Sequence, residues 1–217
     1  MGEAARVRLF MHIRTGESGE ALLALMQSRL HRDAVYTRLD QHIRSFFSEH
    51  TVTYLRWDVR QLNEVLPRFS IARISPGPKT RLWTFVSSGV WEVDSESSGH
   101  LEFMFLAAED DPRVVQLLTM TAHYHVSNRL GVGHTFPLGD PFMPKSPCDH
   151  ILVSLPYPFE PQFEICHVEG GHLHIVWLLP ITSAERDYKV KEGLEALESR
   201  FEEVGLQYWK SDRASVI

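Results

Sequence analysis

Between Pro67 and Leu106 the apolar side chains recur mostly at a period of two, a pattern that suits strands and that no amphipathic helix produces. Phe69 to Ile74 and Leu82 to Val86 are strand-length runs. The Ser75-Pro76-Gly77-Pro78 segment between them combines fixed and permissive dihedrals, as a turn requires. Val90-Trp91-Glu92-Val93 is expected to prolong the second strand, with Asp94 to Gly99 as a small polar loop. Leu101, Phe103 and Phe105 then alternate with Glu102, Met104 and Leu106, which predicts a strand with one better-buried face. Three such segments make an antiparallel meander, and a chain that carries one must cover it. With 217 residues and 43% apolar content, this chain can do so.

The covering elements are legible as helices. Leu22, Leu23, Leu25, Met26, Leu30, Val35, Leu39, Ile43, Phe46 and Phe47 follow the 3.6-residue period and predict a helix over 19–50, started near Ser18 and open to a break at His31-Arg32-Asp33. Before it, Val7 to Ile13 alternates as a short strand. Asp111-Pro112 opens a second helix, with Asp as cap and Pro at the first helical position, and Gly131 and Gly133 are expected to end it. An irregular loop over 133–147 surrounds the extended piece Thr135 to Leu138. Ile151 to Leu155 is a strand. Phe163 to Val168 and His172 to Leu179 read as a hairpin turned at Gly170-Gly171. Thr182 and Glu185 have capping-box spacing. Leu194, Leu197, Phe201 and Val204 line a last helix stopped by Gly205. The fold class is α+β, a mixed, largely antiparallel sheet flanked by helices. Residues 1–60 supply an N-terminal strand and helix packed on the same unit as 61–217, and no internal repeat divides the chain.

Charge and targeting features exclude several partners. The formal net charge is −6 and no basic run exceeds two residues, so a phosphate backbone finds no electrostatic footprint and nucleic acid is not expected as a partner. No stretch approaches the ~20 apolar residues of a membrane span. Met1 to Arg6 lacks an apolar core with a cleavage site, and the expected location is the cytoplasm. Cys148 and Cys166 are read as reduced structural thiols, an accidental bridge between neighbouring strands being the alternative.

Catalytic chemistry finds little support. Histidine invites a metal reading: His172 and His174 share one face of a strand and, with a third ligand such as His167, are half of a conceivable metal site. No carboxylate nearby in sequence falls on their face. His123 and His125 face apart on a helix. There is no nucleophile elbow, Cys148 has no helix N-terminus to activate it, and Gly131-Val132-Gly133-His134 lacks the strand and third glycine of a phosphate cradle. Acid pairs such as Glu195 with Glu198, and Glu202 with Glu203, read as solvated helix faces. No catalytic residue, metal or cofactor is therefore assigned. Binding chemistry remains: Trp83, Trp91, Tyr124, Tyr157, Trp177 and Trp209 are interface-type aromatics, of which Trp83 and Trp177 are expected in the core and Tyr124, beside His123, at the surface.

Residues 81–180 resemble the suppressor of fused family. Trp83 to Gly89 is similar to its W-x-Y-[VI]-S-x-G segment, with Phe85 as the aromatic, and Ser98 to Phe105 to its S-G-x-G-F-E-L-T-F segment. Met120 to Val126 resembles the helix bearing L-A-R-Y-V-F, and Gly133-His134-Thr135-Phe136 the G-[DH]-x-[IVF] that follows. Leu178 to Thr182, with Glu185 and a Gly-Leu-Glu-Ala-Leu helix, looks like the bacterial branch.

The resemblance implies a sheet flanked by helices and a protein-binding role. Animal members sequester Gli-type factors by adding a partner strand between two lobes, of which one is implied here. Bacterial members are associated with toxin systems as immunity proteins. Tyr124 matches a partner-binding tyrosine of the family, whereas His134 stands where the family carries an acid, a departure that implies a different ligand. The expectation is a non-enzymatic module that binds another protein, a cognate toxin, through Tyr124, His123 and His134. A metal protein built on the histidines and a regulatory sequestering or self-assembling factor are the alternatives.

Overall fold

The computed structural model describes residues 17–95, 99–139 and 146–217. Among them one sheet is built from nine strands: β1 (Val52–Leu55), β2 (Ser70–Ile74), β3 (Trp83–Ser88), β4 (Asp94–Ser95), β5 (Gly99–Ala107), β6 (Thr135–Pro137), β7 (Cys148–Ser154), β8 (Ile165–Val168) and β9 (Gly171–Thr182). Its spatial order is β1-β2-β3-β5-β9-β7-β6, with β4 added to β5 and β8 to β9. All pairings are antiparallel except that of β5 with β9, so the expected mixed, largely antiparallel sheet is what forms. The helices are α1 (Glu17–Phe46), α2 (Arg60–Val65), α3 (Pro112–Asn128), α4 (Glu160–Glu164), α5 (Ser183–Glu192) and α6 (Leu194–Val204).

The period-two strands feed two cores, one on each side of the sheet. Leu101, Phe103 and Phe105 of β5 join Val176 and Leu178 of β9 beneath α3 and α2. Met104 and Leu106, with Leu173, Ile175, Trp177 and Leu179, meet Val35, Leu39 and Ile43 of α1 and Leu197 and Phe201 of α6 on the opposite face. The expectation of one better-buried face on β5 is therefore corrected. As a central strand between β3 and β9, it is covered on both sides, and each such large apolar side chain contributes roughly 1.5–3 kcal/mol of transfer free energy.

Local signals set most boundaries. Asp111 caps α3, its Oδ1 accepting from the Arg113 N–H at 2.9 Å, with Pro112 at the first turn. The capping box forms at α5: Glu185 N–H donates to Thr182 Oγ1 at 3.2 Å, and Thr182 N–H to Glu185 Oε2 at 2.9 Å. Gly170, at φ 84°, turns β8 into β9, and Gly205, at φ 60°, ends α6.

Several boundaries differ from expectation. α1 runs without a break through His31-Arg32-Asp33, since no Pro or Gly stands in the helix after Gly19 and Asp33 ion-pairs with Arg68. Val90–Glu92 is a 3₁₀ turn rather than a continuation of β3, because Gly89 at φ 118° redirects the chain there. α3 stops at Asn128, with Arg129 in the left-handed conformation at φ 45° and its guanidinium donating to Asp94 O at 3.1 Å, before Gly131 is reached. Phe163 and Glu164 belong to α4, so the hairpin starts at Ile165. The strand expected over Val7 to Ile13 lies outside the described residues. No helix among the described residues is long and apolar enough to cross a membrane.

Candidate functional site

α3 divides its side chains by its own period. Val114, Val115, Leu117, Leu118, Ala122 and His125 turn inward. Met120, 58% exposed, and Tyr124, 40% exposed, turn outward with His123. Between this outer face, α2 and β6 lies a groove of about 590 Å³ lined among others by Val59, Gln61, Met120, His123, Tyr124 and Phe136. Tyr124 stacks on the buried Phe136 ring, with centroids 5.2 Å apart and planes 27° apart, so the edge strand β6 holds the tyrosine against the groove wall. β6 is a sheet edge of three residues, and it includes Pro137, which cannot donate.

Tyr124 and His123 are thus brought together on one surface, and His134 is not part of that lining. His134 is exposed at the approach to β6, its Nδ1 accepting from the Gly131 N–H at 3.2 Å. His125, two residues from His123, is on the opposite side of α3. Its Nε2–H donates to Val93 O at 3.2 Å, its ring packs edge-on against Phe103 at 5.4 Å, and burial pulls its pKa below the ordinary range.

The second histidine group is also assembled. His172 and His174 share a face, with ring centroids 4.8 Å apart, and His167 is the cross-strand partner of His172. A carboxylate does reach them: Glu164 Oε1 of α4 lies 3.2 Å from His174 Nδ1, which corrects the expectation that no acid serves that face. The acid comes from a neighbouring helix that strand periodicity cannot place. No group of three or more His, Cys, Asp or Glu among the described residues is arranged to hold a metal ion.

Both cysteines are buried free thiols, and desolvation pushes Cys166 up to about 11. Trp177 is in the core as expected. Trp83 is only half-buried, with the Arg73 guanidinium 5.7 Å from its ring centroid. Tyr157 and Trp209 are exposed.

Two carboxylates held in specific polar contacts are not distinguishable in the sequence. Glu102, fully buried in β5, accepts from the Ser87 hydroxyl, from Gly89 N–H at 2.7 Å and from Trp91 N–H at 3.3 Å. Glu198 of α6 accepts from the Ser154 hydroxyl at 3.1 Å. Neither contact has a local sequence signal.

Comparison with known proteins places this architecture. The family model for suppressor of fused protein (SUFU) matches residues 66–214. A suppressor of fused homologue from Neisseria gonorrhoeae superposes with a TM-score of 0.73 at 28% identity, covering 83% of this chain and 96% of that one. A solved Sufu–Fu complex gives 0.64 at 13% identity, covering 84% and 92%, and Drosophila Suppressor of Fused gives 0.63 at 13%, covering 86% of this chain and 51% of that chain. No curated protein gives a significant match. The strand order, the two-sided core and the match across most of the sequence lead to one statement: the chain belongs to the suppressor of fused family.

Proposed function

We propose that this protein acts by binding another protein through the α3–β6 groove, with Tyr124 as the central anchor, His123 beside it and His134 at its margin. The observation that carries the reading is the exposed Tyr124 ring, braced on Phe136 next to the exposed Met120, in a family whose members include one solved as a complex with Fu. A braced aromatic loses little conformational freedom when a partner covers it, which is what makes such residues binding hot spots.

The finer reading is that the partner is a cognate toxin and the protein its immunity factor, acting in the cytoplasm. Neutralisation of this kind needs shape and charge complementarity and no bond chemistry, and a net charge of −6 speeds capture of a basic toxin. Co-expression with the product of the adjacent reading frame tests it: a stable complex and relief of growth inhibition are expected.

Tyr124→Ala is expected to weaken that complex about tenfold or more while changing the unfolding free energy by no more than about 1 kcal/mol, because the ring is largely outside the core. Calorimetric titration and urea unfolding measure the two quantities. Unchanged affinity in both Tyr124→Ala and His123→Ala would remove the groove from the interface.

A further inference from the structure

A second concave site lies on the opposite face of the sheet from the α3–β6 groove. It is a cleft of about 350 Å³ between the β7–β9 surface, α6 and the chain that follows it. Trp177, Leu179 and Phe201, all buried, form its floor. Tyr208 stands against Trp177 with ring centroids 4.8 Å apart and planes at 86°, which makes a right-angled aromatic corner. Tyr157, 56% exposed, lines the mouth, where Glu198 and Glu202 sit one helical turn apart.

The charge of this cleft is one-sided. No Lys, Arg or His lines it, and among the described residues neither Glu198 nor Glu202 has a basic group within ion-pairing distance. Glu198 has neutral hydroxyl company, from Ser154 at 3.1 Å and from the Tyr157 phenol. The Tyr157 phenol is pushed up to about 12, first by desolvation and then by the charges of Glu198, Glu202 and Glu164 with a hydrogen bond to Glu198, which reports a negative local field.

An organic cation satisfies both features, since its charge meets the carboxylates while its flat or methylated body lies on the ring faces. A metal ion would find an aromatic floor where it needs oxygen ligands. A guanidinium fits better than an ammonium: it is planar, weakly hydrated, stacks on an aromatic face and offers several N–H donors in one plane. The exposed mouth leaves a free metabolite largely in water, whereas a side chain delivered from another protein needs only its tip enclosed.

We propose that this cleft is an arginine-accepting subsite, filled by an exposed arginine side chain of a partner protein. It is independent of the groove around Tyr124, and its test uses the isolated chain, so failure here and failure of the groove reading are separate results.

The probes are a short acetylated and amidated peptide with one arginine among glycines and serines, the same peptide with citrulline or lysine in its place, and free L-arginine. The readout is the Trp177 indole N–H resonance, identified with Trp177→Phe. The arginine peptide is expected to shift it saturably with a dissociation constant on the order of millimolar, and the citrulline peptide to bind about tenfold more weakly. The Glu198→Gln/Glu202→Gln double variant, which keeps an acceptor for Ser154, is expected to lose that preference while its melting temperature stays within about 2 °C. Equal binding of arginine and citrulline peptides, no saturable shift, or a preference unchanged in the double variant would each overturn the proposal. Lysine matching arginine would overturn the guanidinium assignment, and free arginine binding more tightly than the peptide would make the cleft a small-molecule site instead.

Discussion

Replacing Arg213 by alanine is expected to lower the unfolding free energy by about 3–5 kcal/mol, the cost of leaving a buried carboxylate without its counter-ion. Arg213 is 7% exposed and Glu185 fully enclosed. Their contact is two-pronged, Nη1 to Oε1 at 2.6 Å and Nη2 to Oε2 at 2.7 Å, and Nη2 also donates to Pro180 O at 2.9 Å. Glu185 is already committed elsewhere: Oε2 accepts from Thr182 N–H in the capping box, and Oε1 accepts from Val216 N–H at 3.0 Å. One carboxylate therefore starts α5 and holds the last residues of the chain to the end of β9. Without Arg213 it keeps two N–H donors but loses the charge that offset its desolvation.

A double variant separates that mechanism from simple loss of packing. Glu185→Gln keeps an acceptor for the cap and removes the charge, so Glu185→Gln combined with Arg213→Met is expected to be more stable than Arg213→Met alone. Guanidinium chloride unfolding of the four proteins closes the cycle. Additive losses, with no coupling between the two sites, would show that the pair contributes nothing beyond its separate contacts. Hydrogen exchange in 206–217 is expected to accelerate in Arg213→Ala, as the side chain that ties this segment to Pro180 and Glu185 is gone.

Glu185 also marks the limit of what the sequence reveals. Its capping role follows from a three-residue spacing, and so do the Asp111-Pro112 start of α3 and the Gly170 turn, because each is complete within a few residues. Its pairing with Arg213 spans 28 residues and leaves no periodic trace. The same distinction runs through the binding surfaces. The outward position of Tyr124 and the common face of His172 and His174 follow from helix and strand periods. The Glu164 contact to His174 and the Ser154 contact to Glu198 require knowing which elements become neighbours. Glu198 reads as a solvated helix residue because α6 shows only its own amphipathic pattern, not the β7 surface that receives it. The family resemblance supplied the order of segments, but the parallel β5–β9 junction, which places both cores, is visible only in the assembled sheet.

Glu102 carries the second large effect, and its sign depends on pH. Alternation along β5 reads this residue as outward and wet, yet it is completely buried. Its carboxyl is held by the Ser87 hydroxyl and by the N–H groups of Gly89 and Trp91, while Ser87 Oγ in turn accepts from Phe103 N–H at 2.7 Å. This cradle depends on Gly89: at φ 118°, with a Cβ that would fall 2.8 Å from Tyr36 Oη and 3.2 Å from Phe69 Cα, no other residue fits. Burial outweighs the hydrogen bonds and raises the Glu102 pKa from 4.5 to about 7. The folded chain therefore holds this proton more tightly than the unfolded one. The resulting stabilisation is fully present below about pH 4.5 and is lost as pH rises through about 7.

Glu102→Gln keeps an acceptor for the two backbone donors and can donate to Ser87 Oγ, but it does not titrate. Relative to this variant, the wild-type protein is expected to lose about 2–3 kcal/mol between pH 5 and pH 8, a difference in which all other titrations cancel. Glu102→Ala, by contrast, strands the buried N–H groups and the Ser87 hydroxyl and is expected to cost about 3–5 kcal/mol even at pH 5. Urea unfolding of the three proteins at both pH values decides the matter. Parallel pH profiles for wild type and Glu102→Gln would mean that the carboxylate is already ionised in the folded state at pH 5, with the cradle of donors outweighing its burial.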